Sequence, residues 1–377
     1  MGRRPTLVES FQGVPDPRLE RTRLHSVVDI LVIALCATIC GADHYTEMED
    51  YGKAKERWLR GFLELPHGIP SHDTFGRVFA RLDPEAIRAC FLTWVEALRQ
   101  TPLTDGVIAL DGKTLRRSFD AASGQSALHM VSAWASSVRL VIGQVKTSQK
   151  SNEITAIPYL LDLLDVAGCV VTIDAIGCQK EIARQIRSKG ADYVLALKGN
   201  QTSLFDDVTA YFADAQERGY RNRPVTCHET RDYEHGRVEV RRYCASGEVE
   251  WLARTGQERD WDGLNSIVMV ESERTQGGRT TCTRRYYITS LPADAERIAG
   301  AVRAHWSIEN QLHWSLDVSF SEDQCRVRKD HAPENLAVLR HITLNLLKQE
   351  TTAKMGLKAK RLKAGWDPHY LPRVLTG

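Results

Sequence analysis

The chain has 377 residues, with 50 Lys and Arg against 48 Asp and Glu, a formal net charge of +2. Hydrophobic residues at 42% and charged residues at 26% match a globular chain, which excludes wholesale disorder. The 26 Gly and 13 Pro follow no short period, which excludes collagen-like and repeat arrays, and the length predicts two or three domains.

The first 100 residues read as helical. Val27, Ile30, Leu31, Ala34, Leu35 and Thr38 mark one helical face, and Gly41-Ala42-Asp43 supplies a stop and then an N-cap for a second helix ending near Leu63. This first apolar run, Val27 to Cys40, is too short to span a bilayer and carries Asp29. The N-terminus Met1-Gly2-Arg3-Arg4-Pro5 lacks the apolar stretch of a signal peptide, so no membrane contact and a cytoplasmic location are expected. Nine dispersed cysteines without a CxxC motif then predict reduced thiols; Cys36 and Cys40, one helical turn apart, read as small core residues. Pro70-Ser71 opens a third helix, and Asp83-Pro84 caps a fourth that runs to about Leu98. Two short helices joined at Leu82-Asp83 suit a DNA-contacting helix-turn-helix, and equally any small helical bundle.

After a linker at 100–106 the pattern changes. Val107 to Asp111 is an apolar strand ending in an acid, and Ala127–Ala135 with Arg139–Thr147 forms a hairpin. A helix over Asn152–Leu164 precedes a second apolar strand ending in an acid, Cys169 to Asp174. A helix over Gln179–Lys189 and a strand over Asp192–Lys198 follow. A hairpin followed by crossovers predicts an α/β fold, a mixed sheet with helices on its faces. Between helices at Thr202–Arg218 and Ala293–Leu316 lies a strand-rich stretch, with strands at Val238–Tyr243, Ser266–Glu273 and Thr281–Thr289 and a turn at Gly277-Gly278. Helix resumes over Glu334–Leu347, and five cations without an acid occupy Lys354 to Lys363. Such a cluster suits phosphates, or equally a solvated face or tail.

Asp111 and Asp174 each end an apolar strand, where an ionised carboxylate is costly unless it is paired or binds a cation. A turn or cap role is the competing reading for either one alone. On the helix after the strand-rich stretch, Val302, Trp306, Glu309, His313 and Leu316 share a stripe, so Glu309 is an acid among large apolar groups and a histidine, a buried pair with Arg303 or one of the His residues being the competing reading. Three carboxylates on a mixed sheet and a following helix suit Mg²⁺ or Mn²⁺, and two-metal phosphoryl transfer is the chemistry that needs such a set. The chain contains no Walker loop and no GxGxxG.

Further stretches carry a family likeness: Ile108 to Arg116, Thr172 to Gln179, Tyr193 to Gln201, His305 to Asn310, Leu312 to Val318, and Glu322-Asp323. In these the chain resembles bacterial insertion-sequence transposases of the DDE type, in particular the H-repeat-associated (Rhs-element-linked) family, from about Phe11 to its end. The resemblance implies a ribonuclease H-like mixed sheet with flanking helices, in parts: an N-terminal helical domain (1–100), a catalytic core begun at 107–218 and completed by helices at 293–350, a β-rich insertion (219–292) and a basic C-terminal tail (351–377). It implies DNA cleavage and strand transfer by Asp111, Asp174 and Glu309, which would also hold two Mg²⁺ or Mn²⁺ ions. It further implies double-stranded DNA as partner, a homodimer in the synaptic complex, and a nucleoid-associated place in the cytoplasm. The superfamily's Tyr-Arg-Glu-Lys signature is degenerate here, its other places holding Val302, His305 and Leu316, and Asp317 and Glu322 are the alternative third acids. Expected DNA contacts are Lys113, Arg116, Lys198, Trp306, Lys358, Lys360 and Arg361. Lys113 serves equally to neutralise the carboxylate cluster when no metal is bound and Trp306 to fill the core, while Gln179 and Asn200 suit orienting water or phosphate and equally turn and cap roles. The competing functions are a DNA-binding protein without turnover and a nuclease that cuts without joining.

Overall fold

The structure, a computed structural model, describes residues 7–99, 103–119, 124, 126–147, 153–221, 223–234, 236–254 and 261–376. Five helices come first: α1 Leu7–Phe11, α2 Val27–Ile39, α3 Tyr45–Leu59, α4 His72–Arg81 and α5 Pro84–Leu98. α2 is apolar on every side and accordingly buried, with Ser26 Oγ capping it through the Asp29 amide at 3.0 Å. α3 begins one residue later than Asp43 would have it. The Glu47 carboxylate takes the amides of both Asp43 and His44, at 2.6 and 3.1 Å, and makes His44 the N-cap. Ser71 and Asp83 cap α4 and α5 as expected.

The remaining elements are β1 Val107–Leu115, β2 Leu128–Ala135, β3 Leu140–Lys146, α6 Glu153–Asp162, β4 Val170–Ile173, α7 Lys180–Ser188, β5 Asp192–Leu197 and α8 Thr202–Glu217. Then come β6 Val225–Glu234, β7 Arg237–Ser246, α9 Glu250–Arg254, β8 Ser266–Gln276, β9 Arg279–Thr289 and α10 Ala295–Ile308. A π-helical turn, Glu309–His313, joins α10 to α11 Trp314–Phe320; α12 Ala332–Gln349, α13 Leu357–Trp366 and α14 Tyr370–Thr376 complete the chain. None of the described helices is long and apolar enough to cross a membrane.

The strands form one sheet in the order β3-β2-β1-β4-β5-β9-β8-β7-β6. β1, β2 and β3 are antiparallel neighbours, while β1, β4 and β5 run parallel, which is the ribonuclease H-like arrangement. β9 pairs antiparallel with β5, so the strand-rich stretch continues the sheet and covers an edge that would otherwise be open. Its β8–β9 hairpin turns through Gly277 and Gly278, both at positive φ, where a side chain would be strained. β6 had no apolar signal in the sequence. It is held by cross-strand ion pairs, Arg242 to Glu229 at 2.9 Å and Arg241 to Asp232 at 2.6 Å. Cys227 and Cys244 are directly opposite on β6 and β7 and form a disulfide, so the expectation of reduced thiols fails for this pair. Their approach depends on strand register, which cysteine spacing does not reveal.

α12 ties the helical and sheet portions together. Asn335 donates to the carbonyls of Phe79 and Leu82, closing the α4–α5 junction, and Asn345 bridges both backbone groups of Val141 on β3. One continuous core therefore spans the first helices and the sheet. The C-terminal stretch is folded as α13 and α14, and this corrects the expected basic tail. Lys360 and Arg361 are buried: Lys360 donates to the carbonyls of Leu347 and Glu350, and Arg361 to those of Thr38, Ser319 and Ala42 and to Asp43 Oδ1 at 2.7 Å. Their charges are spent on backbone oxygens inside the protein, so neither is available to DNA.

Candidate active site

β1 and β4 pair in parallel from Val107/Val170 to Leu110/Ile173, so the next residue of each strand, Asp111 and Asp174, leaves the same end of the sheet. Asp111 remains within β1, opposite Ser132 of β2, and accepts the Gly112 amide at 2.9 Å. Asp174 caps the short turn Ala175–Gly177 by accepting the Ile176 amide at 3.0 Å. The cap role left open by the sequence is thus real, and it fixes the carboxylate at the strand end. Asn200 Nδ2 pins the same turn by donating to the Ala175 carbonyl at 2.6 Å, while Gln179 donates to the Ile176 carbonyl at 3.2 Å. Both act as turn-holders.

Glu309 is delivered by the long helix that crosses this end. Ser307 Oγ accepts from Trp134 Nε1 at 2.9 Å, and His305 Nδ1 meets Thr172 Oγ1 at 3.0 Å, so α10 is bonded to β2 and β4 just before the π turn. In that turn the Trp314 amide bonds back five residues to the Glu309 carbonyl. Such widened turns are frequent at functional sites because they re-aim side chains within a helix. Here Glu309 and His313 both face Asp111. His313 Nδ1 lies 3.5 Å from Asp111 Oδ2 and 3.7 Å from Glu309 Oε2. Ligand atoms of the three residues all lie within 4.8 Å of one another, and no other such group of three occurs among the described residues.

These separations are long for hydrogen bonds. They are close to the spacing of neighbouring ligands around a divalent cation with bonds of about 2.1 Å, roughly 3.0–3.4 Å. His313 is 5% exposed, and its Nε2 has no hydrogen-bond partner. Two carboxylates and an imidazole with an underused ring therefore suit a divalent cation. Asp174 stands outside this trio but its charge acts on Asp111. The structure brings Asp111 and Glu309 together as expected, with His313, not Asp174, as the third converging group.

Burial pushes the Asp111 carboxyl up to about 7; His313 opposes this, and Glu309 and Asp174 reinforce it. Glu309, half exposed, is held below its usual range by the His313 imidazole. Asp174 is raised by burial and then by Glu153. His305, raised by none of its neighbours enough to offset burial, is pushed down to about 4 and stays neutral. Burial, with Glu309 and Asp174 nearby, makes an ionised Asp111 costly, and a bound cation would favour the ionised form.

Lys113 shares the Asp111 face of β1, two residues on. It lies 2.5 Å from Asp317, 2.9 Å from Glu322 and 3.4 Å from Asp323. Glu309, His313 and Asp317 follow at four-residue steps, so β1 and the helix meet as two matched rows, Asp111 with Glu309 and His313, Lys113 with Asp317. Asp317 and Glu322, the alternative third acids, are thereby engaged by Lys113, whose ion pairs among the described residues are with these acids and Asp323 and not with the Asp111, Asp174 and Glu309 cluster it was expected to neutralise. Arg116 is exposed and reaches Asp323 at 3.2 Å, and Lys198 is exposed at the end of β5, near enough to lower Asp174. Trp306 is 41% exposed, with Arg285 4.6 Å above its ring, in a cavity of about 230 Å³ beside Asn310. It therefore leaves the apolar stripe on which Val302 and Leu316 are buried. Lys358 is exposed on α13.

The opposite face of β1 carries groups the sequence reading did not single out. Glu153, opening α6, bonds His129 Nε2 at 2.8 Å, and His129 Nδ1 meets Thr114 Oγ1 at 2.8 Å. A Cβ at Gly112 would collide with the Glu153 carboxylate and the His129 ring. Gly112, directly after Asp111, is thus required by close approach, and a glycine interrupting an apolar strand was the available signal.

Residues 102–346 match the family model described as Transposase DDE domain, and residues 8–95 match its companion, DDE_Tnp_1-associated. The chain is 38% identical over 375 residues to the H repeat-associated YhhI of Escherichia coli (strain K12), covering 98% of each chain. It is 39% identical over 375 residues to YncI of Escherichia coli O157:H7, covering 98% of this chain and 94% of that one. It is also 48% identical over 285 residues to the protein in the dhlA 3′ region of Xanthobacter autotrophicus, covering 75% and 94%.

Proposed function

The chain belongs to the DDE transposase family, and from that premise we propose that it cuts the ends of an insertion-sequence element and joins them to target DNA at one metal-dependent site. The observation that carries this reading is the convergence of Asp111, Glu309 and His313 beside Asp174 at one end of the sheet. In the cleavage step water attacks a phosphodiester, breaking one P–O bond and leaving a 3′-hydroxyl and a 5′-phosphate. In the joining step that 3′-hydroxyl attacks a target phosphodiester, so one P–O bond is exchanged for another and no energy source is needed.

Cations at this site would polarise the phosphoryl group and lower the cost of the charge that builds on it. The side chains do the rest. Asp111 and Asp174 are mounted on adjacent strands and Glu309 on a helix bonded to both β2 and β4, so the acids are held before substrate arrives. Asp111 gives up its proton when the site is loaded. Asp111, Glu309 and His313 would hold one ion and Asp174 would contribute to a second; the carboxylates suit Mg²⁺ or Mn²⁺, and the His313 nitrogen would favour Mn²⁺. Arg116 and Lys198, exposed on either side of the acids, would take phosphates, and Trp306 with Arg285 a base at the element end. Synapsis of two ends requires at least two protomers.

Linear DNA carrying the element end, incubated with Mn²⁺ or Mg²⁺ and a target plasmid, tests the reading. Cleavage followed by joined product is expected. Cleavage without joining would mark a nuclease, and binding without cleavage a DNA-binding protein. Asp111→Ala and Asp174→Ala should each abolish cleavage and leave duplex affinity nearly unchanged; cleavage persisting in either variant rejects the assigned site.

A further inference from the structure

α3, α4 and α12 all begin around one groove. Its lining, about 510 Å³ in volume, takes residues from each of the three starts and from the segment 326–329. Helix starts carry partial positive charge. Four lining side chains add full charges: Arg77, Arg326, Arg328 and Lys329. Arg77, Arg326 and Lys329 are exposed and, among the described residues, no ion pair joins any of the four to a carboxylate. Arg328 is oriented without an acid, donating Nε to the Arg117 carbonyl at 3.1 Å and lying 4.9 Å above the Phe119 ring. The lining holds a single acid, Asp73, which already stands 3.6 Å from His72.

Cations lining one groove repel one another, and among the described residues no ion pair with a carboxylate offsets these four. The arrangement becomes favourable when an anion is present. A row of spread cations in an open groove suits a polyanion better than a single phosphate. Its position identifies which one. Arg117, whose carbonyl orients Arg328, follows Asp111 by six residues, at most about 20 Å of extended chain. Along B-DNA that is roughly six base pairs, given one charge per about 1.7 Å of duplex. Exposed Arg116 lies between the two.

We propose that this groove holds the sugar–phosphate backbone of the duplex that flanks the bond being cut, several base pairs from the Asp111–Glu309 centre. The inference rests on the transposase reading and adds a surface to it. α4 enters the interface through its exposed face, while its junction with α5 stays closed against α12.

The test is fluorescence anisotropy with a labelled duplex of about 30 base pairs of mixed sequence, titrated with the full-length protein over a range of NaCl. Arg77→Ala combined with Arg326→Ala should weaken binding about tenfold or more at low salt. It should also reduce the slope of log affinity against log salt by about two, one for each lost phosphate contact. Arg373→Ala, which removes an exposed cation on α14, should change neither. Thermal melting checks that the double variant is folded; if it is not, Arg326→Gln alone, expected to lose about one in slope, replaces it. Unchanged affinity and slope in a folded variant, beside a wild type that binds, overturn the groove and leave the transposase reading standing. A wild type that binds no duplex at any salt overturns both.

Discussion

His313 Nδ1 stands 3.5 Å from Asp111 Oδ2 across the gap between the long helix and β1, on a ring that is buried and has nothing bonded to its other nitrogen. A buried imidazole facing two carboxylates at ligand spacing predicts a nitrogen in the metal's coordination sphere, hence a preference for Mn²⁺ over Mg²⁺. His313→Gln should lower Mn²⁺ affinity about tenfold or more and Mg²⁺ affinity much less. Electron paramagnetic resonance of free Mn²⁺ in a titration reads this directly. Equal losses for both ions would make His313 a packing residue.

The Asp111 carboxyl, raised by burial to about 7, gives a signed pH dependence. Its folded value exceeds the ordinary value, so between about 4 and 7 the folded metal-free protein binds more protons than the unfolded chain. Stability therefore falls as pH rises through that window and stays lower above it. Asp111→Asn should stabilise the metal-free protein at pH 8, on the order of 2 kcal/mol, and do little at pH 4. Thermal melts in chelator at the two pH values check this. Cation affinity of the wild type should run the opposite way, rising with pH up to about 7.

Lys113 is the counter-example to reading every cation near an active site as a DNA contact. It joins Asp317, Glu322 and Asp323, and Glu322 is fully buried with Arg340 at 3.6 Å on its other side. Burial tends to raise the Glu322 carboxyl, but Lys113, Arg340 and His341 together hold it below its ordinary value. A depressed acid contributes stability above its unfolded value, near 4.3, and that contribution is lost as pH falls through the folded one. Lys113→Met should thus cost about 3 kcal/mol at pH 7, as expected when one partner of a buried pair is removed, and progressively less below pH 4. Lys113→Arg should retain most of the stability. Urea unfolding at pH 7 and pH 3.5 distinguishes this from a surface cation, whose removal changes stability by less than about 0.5 kcal/mol.

Much of this was legible in the residues. An acid closing an apolar strand is costly enough to flag Asp111 and Asp174 individually, while their adjacency came from the parallel pairing of β1 with β4. Caps at Ser71 and Asp83 and the Gly277-Gly278 turn are local chemistry and were readable for that reason. What escaped depends on distant partners. The period did place Glu309 and His313 on one stripe, but their joint convergence on Asp111 passes through a π turn, which a 3.6-residue period does not reveal, and Trp306 swung out of that stripe. Lys360 and Arg361 look like a solvated run because their acceptors are backbone carbonyls of other elements, those of Arg361 at Thr38, Ala42 and Ser319 far away in sequence and those of Lys360 at Leu347 and Glu350 at the end of α12. β6 escaped because its strength is ionic and cross-strand, with no apolar alternation to count.

Gly112 links the two faces of β1, and it supplies the last prediction. Asp111 and Lys113 project toward the long helix, while between them the strand presses bare backbone against Glu153 and His129. Gly112→Ala forces a methyl group into that contact, so either the start of α6 retreats or β1 shifts and carries Asp111 away from Glu309. Overpacking of this kind costs about 1–3 kcal/mol, and a displacement near 1 Å at Asp111 would slow cleavage by about a hundredfold. The two outcomes separate in the double variant Gly112→Ala, Glu153→Ala, which removes the carboxylate that the methyl group meets and releases the His129 ring, held in the same contact by that carboxylate, to turn aside. Recovery of both melting temperature and cleavage locates the fault in the clash. Recovery of melting temperature with cleavage still lost would show that Glu153, whose charge is felt at Asp174, is itself needed at the site.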